Sequence, residues 1–491
     1  MAFQSVSFFA LFFVTLCVYY AVPPRYKNAA ILCASVVFYA ATGFGYVLML
    51  FAAILLSYFA AHLIASAKTT GKRKAVLTIF LLLFLGNLCF FKYYDAFGKT
   101  LMHLCQNVGL PVLLPDTGLL APLGISFYTF TVLAYLIDIY REKQTPERDF
   151  IRYAAFVSFF PLVASGPIER GRNLLPQFAG ARPFVYETFC KGASRMLWGF
   201  FKKFVVANTI ANMVDVVFVD VTKYTGPYLL LAALLYSYQL YCDFSGYSDI
   251  AIGAAQMLCM DVMENFTRPF AARSYTDLWR RWHISLTSWF REYLYFPLGG
   301  SRKGTLRTVC NILIIFLVSG IWHGTGLTFA VWGLLNGMYM VLGKMTAAPR
   351  AKLAQKNPLV RYKTLYATLQ IATVYLLFTS CIVFFRAENM TDALYLYTHL
   401  FTGWSAALTA PSGVIATLKT MGIGRVTSLL LLVSIGFTEL LEWRAALAKQ
   451  KTGAYLRAQK PAVRMTLYYA MLLMLALFGV LGKSSFIYFQ F

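Results

Sequence analysis

DLWRRWHISLTSWFREYLYFPLGGSRKG, residues 277–304, leads through an apolar run to Ile321-Trp322-His323-Gly324, and the fold turns on this stretch. It carries four of the chain's eight tryptophans, Trp279, Trp282, Trp289 and Trp322, and two of its five histidines, His283 and His323. The sequence on either side is strongly apolar. An arginine at the centre of a membrane-spanning helix costs about 2.5–3.5 kcal/mol, so Arg280, Arg281 and Arg291 are not expected to face lipid. On a helix over 279–296, Trp279, Trp282, Leu286, Trp289, Tyr293 and Phe296 fall on one stripe. Arg280, His283, Thr287 and Arg291 fall on a neighbouring face. That pattern predicts an amphipathic, interfacial or re-entrant helix with an aromatic anchor. The segment PLGGSRKG then breaks the helix, and an apolar helix from residue 306 to 320 delivers His323 at its end. The two histidines are therefore expected to converge at membrane depth.

Composition points the same way. Of 491 residues, 59% are hydrophobic and 13% charged, and the mean hydropathy is +0.62. No soluble domain has that balance, so the expected fold is an all-α polytopic membrane protein. At roughly 20 apolar residues per span, the chain offers about eleven transmembrane helices plus re-entrant pieces. Residues 93–122 read as a Gly/Pro-punctuated connection. With no repeat and no soluble segment, residues 1–491 are expected to form one membrane domain, with its core at 123–343 and an extracytoplasmic tail at 483–491.

The net charge of +24 would suggest nucleic acid in a soluble protein. Here the positive-inside rule accounts for it, and no nucleic-acid partner is expected. Residues 344–363 carry six Lys/Arg and no acid, and residues 443–464 carry six more. With 68–74 and 141–152, these loops are assigned to the cytoplasm, which places both termini outside. The first helix lacks a basic flank and a small-residue cleavage site, and is expected to be retained. The nine cysteines contain no CxxC pair and read as small buried hydrophobes.

Other polar residues interrupt apolar sequence. YCDFSGYSDIAIG, residues 241–253, sets Asp243, Tyr247 and Asp249 in a long hydrophobic helix, where carboxylates are costly unless paired or wet. ENFTRPF (264–270), GISFYTF (124–130), FPLVASGPIER (160–170) and FFRAEN (384–389) add further polar groups. These blocks read as ion-pair and hydrogen-bond scaffolding, with Asp243 and Arg280 standing out as candidates to shape a pore or orient a histidine. Imidazole, with an unperturbed pKa of about 6.5, suits the deprotonation of a hydroxyl in acyl transfer. Neither GxSxG nor a Walker loop occurs, and no ligand spacing argues for a metal.

WRRWHISLTSWFREYLYFPLGGSRKG followed by WHG resembles the membrane-bound O-acyltransferase family. The likeness is to its bacterial branch, which serves alginate and peptidoglycan O-acetylation and teichoic-acid D-alanylation. The polar blocks above extend it over most of the chain. The resemblance implies a bundle around a central channel, with His323 catalytic and His283 its partner, orienting the acyl group or polarising its carbonyl. Candidates for the channel or substrate lining are Trp279, Arg280, Trp282, Asp243, Tyr247 and Trp322. It further implies no tightly bound cofactor, a cytoplasmic thioester donor with acetyl-CoA the usual one, and an envelope or exported polysaccharide as acceptor. An extracytoplasmic SGNH-type acetyltransferase or esterase partner and a bacterial cytoplasmic membrane location complete the expectation. The ending Phe486-x-Tyr488-x-x-Phe491 resembles a terminus whose tyrosine relays the acyl group in such systems, although an interfacial aromatic anchor would look the same. Two alternatives stand: D-alanyl transfer from a carrier protein, and a proton-coupled transporter. The latter would show inverted repeats or paired broken helices, and neither is evident.

Overall fold

The computed structural model describes residues 3–107, 109–110, 115, 117–119, 121–180, 182–356 and 358–481. Tyr488 lies outside them. Among the described residues the fold is helical and contains no strand. Among the described residues, six helices are long and apolar enough to cross a membrane: Phe44–Ser66, Thr70–Asn107, Thr305–His323, Lys363–Arg386, Arg425–Leu447 and Pro461–Phe478. Val6–Ala21, Ile125–Tyr140 and Phe150–Val163 are apolar but shorter. Residues 93–107, expected to be part of a loop, continue the helix Thr70–Asn107. That segment contains no proline to end the hydrogen-bond ladder.

Contacts divide the chain into two compact units, residues 1–193 with 250–263, and residues 194–249 with 264–491. In the first, Phe8, Phe12, Phe38 and Phe160 form an aromatic ladder, with Phe8 and Phe12 stacked at 5.8 Å and Phe38 and Phe160 at 6.0 Å. Tyr19 closes it over the returning segment by donating to the Leu258 carbonyl at 2.9 Å. Here Tyr153, buried at the centre, donates to Ser57 at 2.7 Å.

The second unit carries the histidines. Its helix pair Thr305–His323 and Leu327–Met345 packs backbone to backbone. A Cβ at Gly320 would lie 2.3 Å from the Phe329 carbonyl oxygen, and one at Gly333 would lie 2.3 Å from that of Phe316. Small residues at a helix crossing allow this approach, and it fixes the end of the helix that bears His323. Tyr186–Phe200 passes into a π-helical segment, Phe201–Ala207, every residue of which is buried. A Cβ at Gly246 would meet the Gly199 carbonyl oxygen at 2.8 Å, so the helix Gly226–Met257 lies directly against this segment.

Candidate functional site

The helix expected over 279–296 is broken. Tyr275–Arg281 and Ile284–Phe290 are separate helices, and Arg291–Tyr295 is a π turn. The break falls on His283, whose φ of +43° and ψ of +53° place it in the left-handed region, a conformation that histidine tolerates better than most residues. Neither glycine nor proline marks the position. What imposes the break is Asn265, from a segment running alongside. Thr267 N–H donates to Arg281 O at 3.0 Å and Ile284 N–H to Asn265 O at 2.9 Å. The Asn265 side chain then caps the second helix from outside, accepting Ser285 N–H at 3.3 Å and Ser285 O–H at 2.9 Å. Orphan donors of a helix's first turn are ordinarily satisfied from within the chain that enters it. Here another segment does so, and that frees His283 from a helical conformation.

This cap decides a tautomer. A backbone N–H can only donate, so the Asn265 atom facing Ser285 is its oxygen. The Asn265 amide nitrogen, correspondingly, donates to Ser248 Oγ at 3.1 Å. His283 Nδ1 lies 2.9 Å from the same Asn265 oxygen and must therefore carry the proton. His283 is 1% exposed, and burial pushes its pKa from about 6.5 down to about 3. The neutral ring with Nδ1–H carries its lone pair on Nε2. His283 is thus suited to accept a hydrogen bond at Nε2, as in orienting a group, and not to donate one there to a carbonyl.

His323 ends its helix in an aromatic box, with ring centroids 4.8 Å from Trp322, 5.0 Å from Trp332 and 5.3 Å from Phe385. The His283 ring lies 6.5 Å from the Trp322 ring and 4.7 Å from Phe244. Both imidazoles are therefore neighbours of one indole, that of Trp322. Trp279 and Trp282 are also buried in this unit, packed on Phe316 at 5.0 Å and on Phe378 at 4.8 Å. Asp243 and Tyr247 are 3% exposed. The Asp243 carboxylate takes Lys203 as its ion-pair partner. Arg280 and Arg291 are exposed, so Arg280 stands at the surface of the unit. Phe296, assigned to the aromatic stripe, is 52% exposed.

Sequence alone did not single out a buried ionic network in this unit. Arg195 Nε donates to Asp249 at 2.8 Å, and its guanidinium also grips Glu264. Lys202 lies 2.8 Å from Asp249 and 3.8 Å from Glu442, and donates to Ser245 at 2.9 Å. Tyr241 donates to Glu442 at 2.8 Å. Burial works against the charge of Glu264, yet Arg195 and Lys451 hold its carboxyl well below the usual range, at about 2.

With this geometry in hand, the comparisons with known proteins are specific. Residues 31–387 match the family model of the membrane-bound O-acyltransferases. The chain is 37% identical to a "probable alginate O-acetylase" of Pseudomonas aeruginosa over 408 residues, covering 82% of this chain and 75% of that protein. It is 32% identical to the peptidoglycan O-acetyltransferase of Helicobacter pylori over 420 residues, 80% of this chain and 76% of that one. The teichoic acid D-alanyltransferase of Bacillus subtilis is 29% identical over 237 residues, 46% of this chain and 60% of that one.

Proposed function

Given that the chain belongs to the membrane-bound O-acyltransferase family and is a multi-pass membrane O-acyltransferase, we propose that it moves an acetyl group from a cytoplasmic thioester donor toward an envelope or exported polysaccharide. The observation that supports this reading is the cluster in which the His283 and His323 rings both neighbour Trp322, with His283 fixed as a hydrogen-bond acceptor at Nε2. Acetyl in preference to D-alanyl follows the relatives: the two O-acetylating proteins match four-fifths of the chain, and the D-alanyltransferase under half.

In the proposed chemistry, His323 takes the proton of the acceptor hydroxyl. The hydroxyl oxygen attacks the thioester carbonyl carbon, a C–O bond forms and the C–S bond breaks. The proton on His323 passes to the departing thiolate, so the donor leaves as a free thiol, such as coenzyme A. His283, with its lone pair on Nε2, accepts a hydrogen bond from a hydroxyl or thiol presented to it. The aromatic walls keep water from competing for the acyl group.

The basic loops at 344–363 and 443–464 support a cytoplasmic donor side, in a bacterial cytoplasmic membrane. Tyr488 is carried forward as an acyl relay to an extracytoplasmic SGNH-type partner, and Tyr488→Phe, which keeps the ring and deletes the nucleophile, tests it. The test of the function itself is glycan O-acetylation in cells producing His323→Ala. Loss of acetylation at normal protein level supports the assignment. Wild-type acetylation would overturn it.

A further inference from the structure

Acyl transfer needs one part that the two histidines do not fill. When a hydroxyl oxygen adds to a thioester carbonyl, the carbonyl oxygen becomes an oxyanion. A donor fixed beforehand at that point is ordinarily the largest single contribution to rate. His283 commits its Nδ1 proton to Asn265 and offers only a lone pair at Nε2. His323 is occupied with the acceptor's proton. The donor must come from the walls around His323.

Trp332 has the right chemistry in the right place. Its ring lies 5.0 Å from the His323 ring and almost perpendicular to it, at 86°. Trp322 precedes His323 on the same helix, whereas Trp332 approaches from the facing one. Trp332 is buried, and its Nε1–H meets no hydrogen-bond acceptor among the described residues. A buried indole N–H ordinarily finds an acceptor, so one left open beside a candidate base asks for a reason. The ring is also held in place. Phe385 packs on it at 5.4 Å and Trp279 at 6.1 Å. Asn336 donates to the Trp332 carbonyl at 2.7 Å and accepts from the Tyr275 hydroxyl at 2.6 Å. Gly320, one turn before His323, touches Gly333, which directly follows Trp332: a Cβ on either would lie 3.2 Å from the other's Cα. The helix crossing thus fixes imidazole and indole relative to one another, and the indole keeps its donor unspent.

We propose that Trp332 is a further catalytic residue, whose indole N–H donates to the thioester carbonyl oxygen as it becomes the oxyanion. This rests on the acyl-transfer reading of His323. As the C–O bond forms, the acceptor's proton passes to His323 and the carbonyl π pair moves onto oxygen, where Trp332 holds it. The pair returns when the C–S bond breaks, and the proton on His323 goes to the thiolate. Trp332 keeps its own proton throughout.

The experiment uses inside-out membrane vesicles from cells making the full-length protein, which present the donor side to the medium and carry the cell's own glycan. Radiolabelled acetyl-CoA is the probe, and label entering glycan is measured against its concentration. Trp332 is replaced by 3-benzothienylalanine, which keeps the bicyclic ring and has sulfur in place of the N–H. Trp332→Phe, which also deletes the N–H, is run beside it. Loss of the donor is expected to lower kcat about a hundredfold, with KM for acetyl-CoA within about twofold of wild type. The unfolding temperature of the benzothienyl protein should match wild type, because the resting enzyme loses no hydrogen bond. A wild-type kcat overturns the proposal. So does a change confined to KM, or a lowered unfolding temperature in the benzothienyl protein, since the N–H would then serve binding or the fold. His323→Ala tells the two readings apart. Wild-type acetylation there sinks the base assignment and with it the step that Trp332 serves. An inactive His323→Ala beside a fully active benzothienyl protein removes Trp332 alone.

Discussion

Two short segments of the second unit, residues 248–249 and 264–265, each face two ways. Ser248 and Asn265 belong to the neutral hydrogen-bond set around His283. Their chain neighbours Asp249 and Glu264 belong to the ionic network of Arg195 and Lys202. Both sets are buried polar structures, yet they do different work. The neutral set has a defined donor and acceptor at each contact and so fixes where a proton resides. The ionic set locks the segments together by charge, and each member depends on its partners to offset desolvation. Burial keeps the His283 ring neutral, while the charges one residue away hold the scaffold.

The comparison breaks most sharply at the ionic end. Arg195→Leu removes the cation that Asp249 and Glu264 share, leaving only Lys202 and Lys451 to them, and should destabilise the protein by about 3 kcal/mol, read as a large fall in thermal unfolding temperature in detergent. The acetylation rate per folded molecule should change far less. If stability is unchanged, the network is not the clamp described here. Asn265→Ala reverses the pattern. It leaves Ser285 N–H and His283 Nδ1–H without their acceptor and should cost about 1–3 kcal/mol, with a loss of acetylation of about tenfold or more. Equal effects of the two variants on activity would erase the distinction between the sets.

The distinction also has a pH signature. His283 has its folded pKa lowered to about 3 from about 6.5, so the unfolded chain binds the proton first as pH falls. Its contribution to stability is complete above about 6.5 and is lost progressively below it. Glu264, lowered from 4.5 to about 2, has the same sign in a lower window: its contribution is complete above about 4.5 and lost toward 2. Unfolding temperature should therefore fall as pH drops from 6.5 to 4.5 in the wild type, and His283→Gln should flatten that limb while leaving the one below 4.5. The smallest effect is expected at Arg280. It is exposed, and Arg280→Gln should shift stability by no more than about 0.5 kcal/mol and leave acetylation intact. A dead Arg280→Gln enzyme would return this residue to the channel lining.

Much of this was legible before any coordinates. Apolar runs announced the helices, and the Trp/His motifs announced the aromatic cluster around the two histidines, because a cation or imidazole amid apolar sequence must be satisfied by something. The interruption at His283 was not legible. Aromatic periodicity runs straight across it, and its cause, Asn265, acts from 18 residues away. Lys202 and Lys203 were hidden for a similar reason. In sequence, Phe-Lys-Lys-Phe looks like an interfacial cationic step. Their burial depends on a π turn and on partners at Asp243, Asp249 and Glu442 that no local pattern pairs with them. Asp243 reads as a residue needing a partner, and Lys203 supplies one.

Whether His283 is held neutral with a bare, hydrogen-bond-accepting Nε2 can be measured directly. Histidine-selective ¹⁵N labelling of the protein in lipid, with the His283 signal assigned by its loss in His283→Gln, reports the protonation of each ring nitrogen. At pH 7 the expected result is a neutral ring protonated at Nδ1 and bare at Nε2, shifting to a mixture of tautomers in Asn265→Ala. A proton on Nε2, or on both nitrogens, at pH 7 would contradict the account.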